Sequence, residues 1–335
     1  MPDDALTDAL CRMGLVNPGE TVRFVPLTGG VSSDILLVET PGRRFCVKRA
    51  LARLKVSAVW EAPVGRNAAE AAWMREVGAW LPHAVPQVLG EDAGLGLFAM
   101  SFLPPEDNPV WKAELLAGRA DAAFAAAVGR DLGLIHARSA ADPSIAVRFA
   151  NEATFEAIRI EPYLRATGRA HPDLAARFEA LAAVTLASRH ALVHGDVSPK
   201  NILVGSIPVG GQGPVFLDAE CACHGDPAFD LAFCLNHLLL KGARAGMRRD
   251  LYFDAFSVLA DAYRRQIDWE APLALEARAA ALLPALFLAR VDGKSPVEYL
   301  TAEAEREAVR RFARPRIAKP PSRLIDIATA WMHPT

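Results

Sequence analysis

No Cys-x-x-Cys pair occurs among the five cysteines of this 335-residue chain, and an odd number cannot close a full set of bridges. That excludes a disulfide-stapled scaffold and predicts reduced thiols. An excess of charge is also lacking: the net value is −2, so there is no electrostatic footprint for nucleic acid. No uninterrupted apolar run reaches the ~18 to 20 residues of a membrane span. The longest, "AALLPALFLA" at 280–289, reads as core helix. The opening "MPDDALTDAL" lacks the basic start and apolar centre of a signal peptide. Together these absences predict a soluble, cytoplasmic protein with neither membrane nor nucleic acid as partner. What is present is core-forming material, with 52% hydrophobic residues and a mean hydropathy of +0.15, in a chain long enough for two lobes.

The pattern changes along the chain. Residues 21–49 read as strand, Gly-Gly turn, strand, Pro-Gly turn and strand, an antiparallel meander. Residues 66–81 have helical period, with Trp73, Met74, Val77 and Leu81 on one stripe. Short strands follow in "PQVLG" and "GLFAMSF", and "LPPEDNP" at 103–109 breaks the pattern as a linker would. Beyond it the chain predicts helices over 120–138, 151–167 and 172–189, and again from about 228 to the end. "HALVHGDVSPKNILVG" and "GPVFLDAE" interrupt them as short strands. The expected fold class is α+β, with a small antiparallel β lobe carrying one helix over 1–102 and a larger, mostly helical lobe over 103–335.

Chemistry concentrates in "LVHGDVSPKNILV" at 192–204. A loop held between two buried strands fixes the separation of Asp196 and Asn201, and Asp218 ends the next apolar strand. Two carboxylates and an amide suit a hard cation such as Mg²⁺, which keeps phosphate as a partner, and point to phosphoryl transfer. Period-two alternation puts Glu220 on the side of Asp218 and Lys48 on the side of Cys46. Glu70 falls in the middle of the Trp73, Met74, Val77 and Leu81 stripe, where a carboxylate needs a cation, so Lys48 with Glu70 is the expected pair. "TGGVSS" at 28–33 offers Gly29, Gly30, Ser32 and Ser33 to phosphate. "CACH", with Cys221, Cys223 and His224, lacks the spacing of common zinc sites and reads as small residues in a turn. "GKS" at 293–295 lacks the earlier glycine of a Walker motif, since Leu288 stands there.

"HGDVSPKN" with "LDAE" and "HGDPAFDLA" resembles the motifs of the aminoglycoside phosphotransferase and choline kinase superfamily. Residues 218–240 are similar to the methylthioribose kinase branch, although the catalytic loop departs from it. The resemblance implies a bilobal, protein-kinase-like fold and ATP-dependent, Mg²⁺-assisted phosphorylation of a small hydroxylated molecule. It makes Asp196 the base or orienter of the acceptor hydroxyl, with Lys200 near the γ-phosphate. Asn201, Asp218 and Glu220 become the metal-binding side chains, and Lys48 with Glu70 holds the α- and β-phosphates. Met100, Ser101 and Phe102 become the hinge at the adenine edge, and Asp230 the anchor of the catalytic loop. His194 has a structural role. A protein kinase is the first rival, but Gly195 stands where that reading wants Arg, and few residues separate Asp218 from "GDPAFD". A non-catalytic nucleotide-binding scaffold is the second. Residues 241–335 carry 16 Lys and Arg against 12 Asp and Glu, a bias that does not favour a polycationic acceptor. Arg290 and Asp292, at the end of a long apolar helix, are the candidate acceptor contacts.

Overall fold

The computed structural model describes residues 2–27, 33–50, 66–206, 212–244 and 248–333. Helix α1 (Pro2–Arg12) leads into β1 (Arg23–Leu27), β2 (Ser33–Glu39) and β3 (Arg44–Ala50). Helix α2 (Arg66–Trp80) follows, then β4 (Val88–Asp92) and β5 (Leu97–Ser101). The five strands form one antiparallel sheet in the order β1-β2-β3-β5-β4.

Alternation along β3 decides what each face does. Phe45 and Val47 join Leu97, Ala99 and Leu10 of α1 in one core, whereas Cys46 shares the other with Phe98, Met100, Trp73 and Val77. The sheet is therefore covered on both faces, and α1 adds a second helix to the single one expected there. Burying each large side chain contributes on the order of 1.5 to 3 kcal/mol, and both covers are needed because β5 is apolar on both sides.

The remainder is mainly helical: α3 (Trp111–Leu116), α4 (Ala122–Ala140), α5 (Ser144–Arg148) and α6 (Glu152–Phe155) precede a π-helical segment, Glu156–Arg165. That segment continues into α7 (Ala166–Ala170) and, after a tight turn, α8 (Ala175–Ala187). Pro162 lies inside the π-helical segment and has no N–H to close an ordinary turn. Strands β6 (Ala191–Val193), β7 (Ile202–Ser206), β8 (Gln212–Phe216) and β9 (Cys223–Gly225) form two small sheets, β6 with β9 and β7 with β8. The pairing of "CHG" with β6 was not expected from the sequence.

Helices α9 (Pro227–Gly242), α10 (Arg249–Arg264), α11 (Pro272–Asp292), α12 (Glu303–Ala318) and α13 (Leu324–Met332) complete the chain. Asp226 caps α9 by accepting from Ala228 N at 3.0 Å, with Pro227 in the first turn. Gly129 lets α4 approach α10, since a Cβ there would lie 2.2 Å from the Leu259 carbonyl. By length and composition α11 could cross a membrane, but much of it is buried against α9 and α12. This antiparallel sheet followed by a helical body is the bilobal, protein-kinase-like arrangement.

Candidate active site

The loop between β6 and β7 is held from beneath. Asp230 on α9 accepts from His194 N at 2.7 Å and Gly195 N at 2.8 Å, one carboxylate oxygen to each. The His194 ring is fixed in one tautomer. Its Nδ1 accepts from Asp196 N at 3.1 Å and its Nε2–H donates to the Leu217 carbonyl at 3.0 Å. Burial holds its pKa below the usual histidine value, in keeping with a neutral ring. Trp73 of α2 meets that ring edge-on at 4.9 Å and so joins the helix stripe to the loop.

Asp196 is buried and its two oxygens differ. Oδ2 pairs with Arg159 at 2.9 Å and Lys200 at 3.3 Å, whereas Oδ1 is buried with no hydrogen-bond partner among the described residues. Burial opposes ionisation, but the Arg159 and Lys200 cations hold the carboxyl below its ordinary pKa. Arg159 also donates from Nε to the Gly195 carbonyl at 2.6 Å. The sequence reading missed Arg159. Its signal was an arginine between Ile158 and Ile160 in a segment rich in core residues, which predicts a buried cation but names no partner.

Asn201 turns its Nδ2–H toward the Asp196 carbonyl at 3.1 Å, which leaves its amide oxygen as the end available to a cation. Asp218 follows β8 with φ +68°, an unusual conformation for a residue with a side chain and one that Asp tolerates better than most. Its Oδ1 lies 2.5 Å from Lys48 Nζ, and its N–H donates to Glu70 Oε1 at 3.1 Å. Lys48 is also 2.6 Å from Glu70 Oε2. Burial works against the charge on Lys48, but Asp218 and Glu70 outweigh it and raise its pKa. Burial raises the Glu70 pKa against the pull of Lys48. Burial would likewise raise Asp218, but Lys48 and Lys200 lower it. Glu76 instead pairs with Arg148.

Glu220 is brought to the same region, where its Oε2 accepts from Arg66 Nε at 2.8 Å. Among the described residues no three His, Cys, Asp or Glu side chains are grouped to hold a metal unaided. Asn201 and Asp218 offer hard oxygens, which fits a cation that draws its remaining ligands from phosphate and water.

Gly29, Gly30 and Ser32 lie outside the described residues. Ser33 begins β2 with its hydroxyl buried and without a partner among the described residues. Met100 pairs with Cys46 in the sheet, and the Ser101 N–H is taken by the Gln87 carbonyl at 2.9 Å. Phe102 stacks under Arg44 at 5.2 Å. Arg290 Nη1 bonds Tyr163 Oη at 3.0 Å and Ser295 Oγ at 3.1 Å. Asp292 has both oxygens engaged, by Arg310 at 2.8 and 2.9 Å and by His171 at 2.9 Å.

An anchored carboxylate loop, a second carboxylate on a strained turn and a buried Lys–Glu pair beneath a five-stranded sheet define a phosphotransferase of the protein-kinase-like class. Residues 23–269 match the model of the phosphotransferase enzyme family, and the chain belongs to that family. A Ralstonia eutropha protein described as a candidate aminoglycoside phosphotransferase is similar in structure, with 14% identity over 98% of each chain and a TM-score of 0.53. An ethanolamine kinase of Plasmodium vivax gives 12% identity over 92% of this chain and 85% of that one, with a TM-score of 0.54. The choline kinase LicA of Streptococcus pneumoniae gives 14% over 93% and 99%, with a TM-score of 0.50. Its complex with AMP gives a TM-score of 0.53. No curated protein sequence matches the chain.

Proposed function

We propose that the protein transfers the γ-phosphoryl group of ATP to a hydroxyl of a small molecule. The observation that carries this reading is Asp196, one oxygen anchored by Arg159 and Lys200 and the other buried and free to accept. In this reading residues 1–102 carry the nucleotide, and residues 103–335 the catalytic loop and acceptor. Oδ1 accepts the acceptor's O–H and takes its proton as the oxygen bonds the γ-phosphorus and the bond to ADP breaks. A carboxylate held below its ordinary pKa is a weak base, so its main work is to orient that hydroxyl.

Lys48, fixed by Glu70, meets the α- and β-phosphates, and the Ser33 hydroxyl at the start of β2 is offered to phosphate. Lys200, half exposed beside Asp196, reaches the γ-phosphate. The segment from Met100 to Phe102 meets adenine, with Ser101 contributing through groups other than its N–H. Asn201 and Asp218 would hold Mg²⁺, and Glu220, tied to Arg66, would add a further carboxylate beside them. Bound Mg²⁺ would neutralise charge on the phosphates. AMP in the choline kinase complex supports an adenine nucleotide. The test is ADP release with a panel of sugars, amino alcohols, aminoglycosides and hydroxy acids, alongside nucleotide binding. Acceptor-dependent ADP release that disappears in Asp218→Ala, together with Mg²⁺-dependent nucleotide binding, is the expected result. Nucleotide binding unchanged in Asp218→Ala removes it from the metal site.

A further inference from the structure

Five Lys and Arg side chains are buried among the described residues: Lys48, Arg66, Arg159, Lys241 and Arg290. Three face carboxylates, Lys48 with Glu70 and Asp218, Arg66 with Glu220, and Arg159 with Asp196. Lys241 and Arg290 have no ion-pair partner among the described residues. Lys241 of α9 is 3% exposed, and among the described residues its Nζ meets the Tyr299 hydroxyl at 3.5 Å and, at 4.8 Å, the centroid of that ring. Arg290 of α11 is 8% exposed, its Nη1 bonded to two hydroxyls and its Nε buried without a partner. His237, one turn before Lys241, has both ring nitrogens buried and without a hydrogen-bond partner among the described residues. An uncompensated buried cation is costly, and here two act on an imidazole whose ring nitrogens are also without hydrogen-bond partners among the described residues.

The cluster adjoins the catalytic loop. Tyr163, which bonds Arg290, follows Arg159 by four residues on the same helical segment and packs on Phe233 at 5.2 Å. Phe233 in turn meets His237 at 5.5 Å. On α9, His237 and Lys241 lie seven and eleven residues beyond Asp230 on one stripe, roughly 10 and 16 Å along the axis, and their side chains lean back toward the loop.

Resting on the kinase reading of Asp196, we propose that His237, Lys241 and Arg290 form an anion subsite, so that the acceptor carries a carboxylate or phosphate besides the hydroxyl it presents to Asp196. Lys241 donates from Nζ and Arg290 from Nε, the nitrogen left without a partner among the described residues, while the tyrosine hydroxyls on Tyr163 and Tyr299 frame the group. Choline, ethanolamine and aminoglycosides carry the opposite charge and are repelled here. Burial, then Arg290 and Lys112, push Lys241 down to about 7, so an arriving anion also restores its proton. The titratable and charged groups around it are His237 and Cys234 on α9, Arg290 on α11, Lys112 on α3, and Glu298 and Tyr299 in the following loop. Glu298, the carboxylate that opposes this shift, is largely exposed and bonded to Lys112 at 2.5 Å.

The test compares matched acceptors by ADP release: glycerate against glycerol, glucose 6-phosphate against glucose, and methylthioribose, choline and kanamycin as neutral or cationic arms. The anionic member of a pair is expected to have kcat/KM higher by on the order of 10- to 100-fold. Lys241→Met and Arg290→Gln should each remove that preference while leaving the KM for ATP unchanged. Whether carboxylate or phosphate is preferred identifies the source. Independently of turnover, calorimetry with glycerate and with inorganic phosphate, at fixed ionic strength and with ADP and Mg²⁺ filling the nucleotide cleft, should show binding with proton uptake in wild type and in Asp196→Asn. Neither signal should survive in Lys241→Met. A neutral or cationic acceptor turned over as well as its anionic counterpart, or equal anion binding by Lys241→Met, overturns the subsite and leaves the kinase reading standing. Anion binding without ADP release from any acceptor overturns the kinase reading and leaves the subsite.

Discussion

Gly195 is fixed by its neighbours. Its φ is +79°, and a Cβ there would lie 2.6 Å from Cys221 Sγ, so the loop has no room for the arginine that a protein kinase carries. The cation that steadies the loop comes instead from Arg159, on another element. Arg159→Met should therefore do more than loosen packing. It removes the charge that depresses Asp196, so the acid limb of the kcat/KM profile should move to higher pH, with partial rescue by Arg159→Lys. A profile that falls in height without moving would limit Arg159 to scaffolding. A second expectation separates two glutamates on α2. Lys48→Ala and Glu70→Ala should raise the KM for ATP and lower kcat. Glu76→Ala breaks only a surface pair, and its effect should stay within about 1 kcal/mol of stability. Steady-state kinetics on the three variants check this, and a damaging Glu76→Ala with a silent Glu70→Ala would contradict it.

At the scale of elements, α9 organises the site by running from beneath the loop toward the buried cations. Asp230 carries two loop amides and stands 3.3 Å from His136 Nε2, whose Nδ1 contacts Tyr263 Oη at 2.7 Å. Asp230→Ala leaves those buried donors unmatched and should cost about 3 to 5 kcal/mol in urea unfolding. A loss under 1 kcal/mol would mean the loop is held elsewhere. The strands and α2 were legible because alternation and a 3.6-residue stripe are local signals: 66–81 was expected and Arg66–Trp80 is helical. The Lys48–Glu70 contact was legible for the same reason, since each residue's face follows from its own element. Arg159 was not, because its partner is set by how the π-helical segment packs. Neither was α1, whose purpose depends on the sheet face it covers, nor β9, too short to carry a pattern. At Asp292 the sequence showed a polar helix end but not the His171 and Arg310 partners that engage it.

For the whole molecule, the buried cations impose a pH dependence on folding. The Lys241 pKa falls from 10.5 to about 7 on folding. Between those values the unfolded chain holds a proton that the folded chain lacks, so this contribution to stability rises with pH across that window, and its cost is full below about 7. Lys241→Met should therefore be more stable than wild type at pH 7, and its advantage should shrink as pH approaches 10. Thermal unfolding of both proteins across that range checks the sign. A variant less stable at pH 7 would show that Lys241 supports the fold rather than burdening it.

The proposed reaction turns on Asp196 receiving the acceptor hydroxyl as phosphoryl passes from a nucleotide at the sheet. Single-turnover transfer from γ-labelled ATP, with nucleotide affinity measured in parallel, compares wild type with Asp196→Asn most directly, because the substitution preserves shape and removes the accepting charge. The transfer rate should fall by on the order of 10² to 10⁴, with nucleotide affinity retained. Transfer at the wild-type rate by Asp196→Asn would contradict the account.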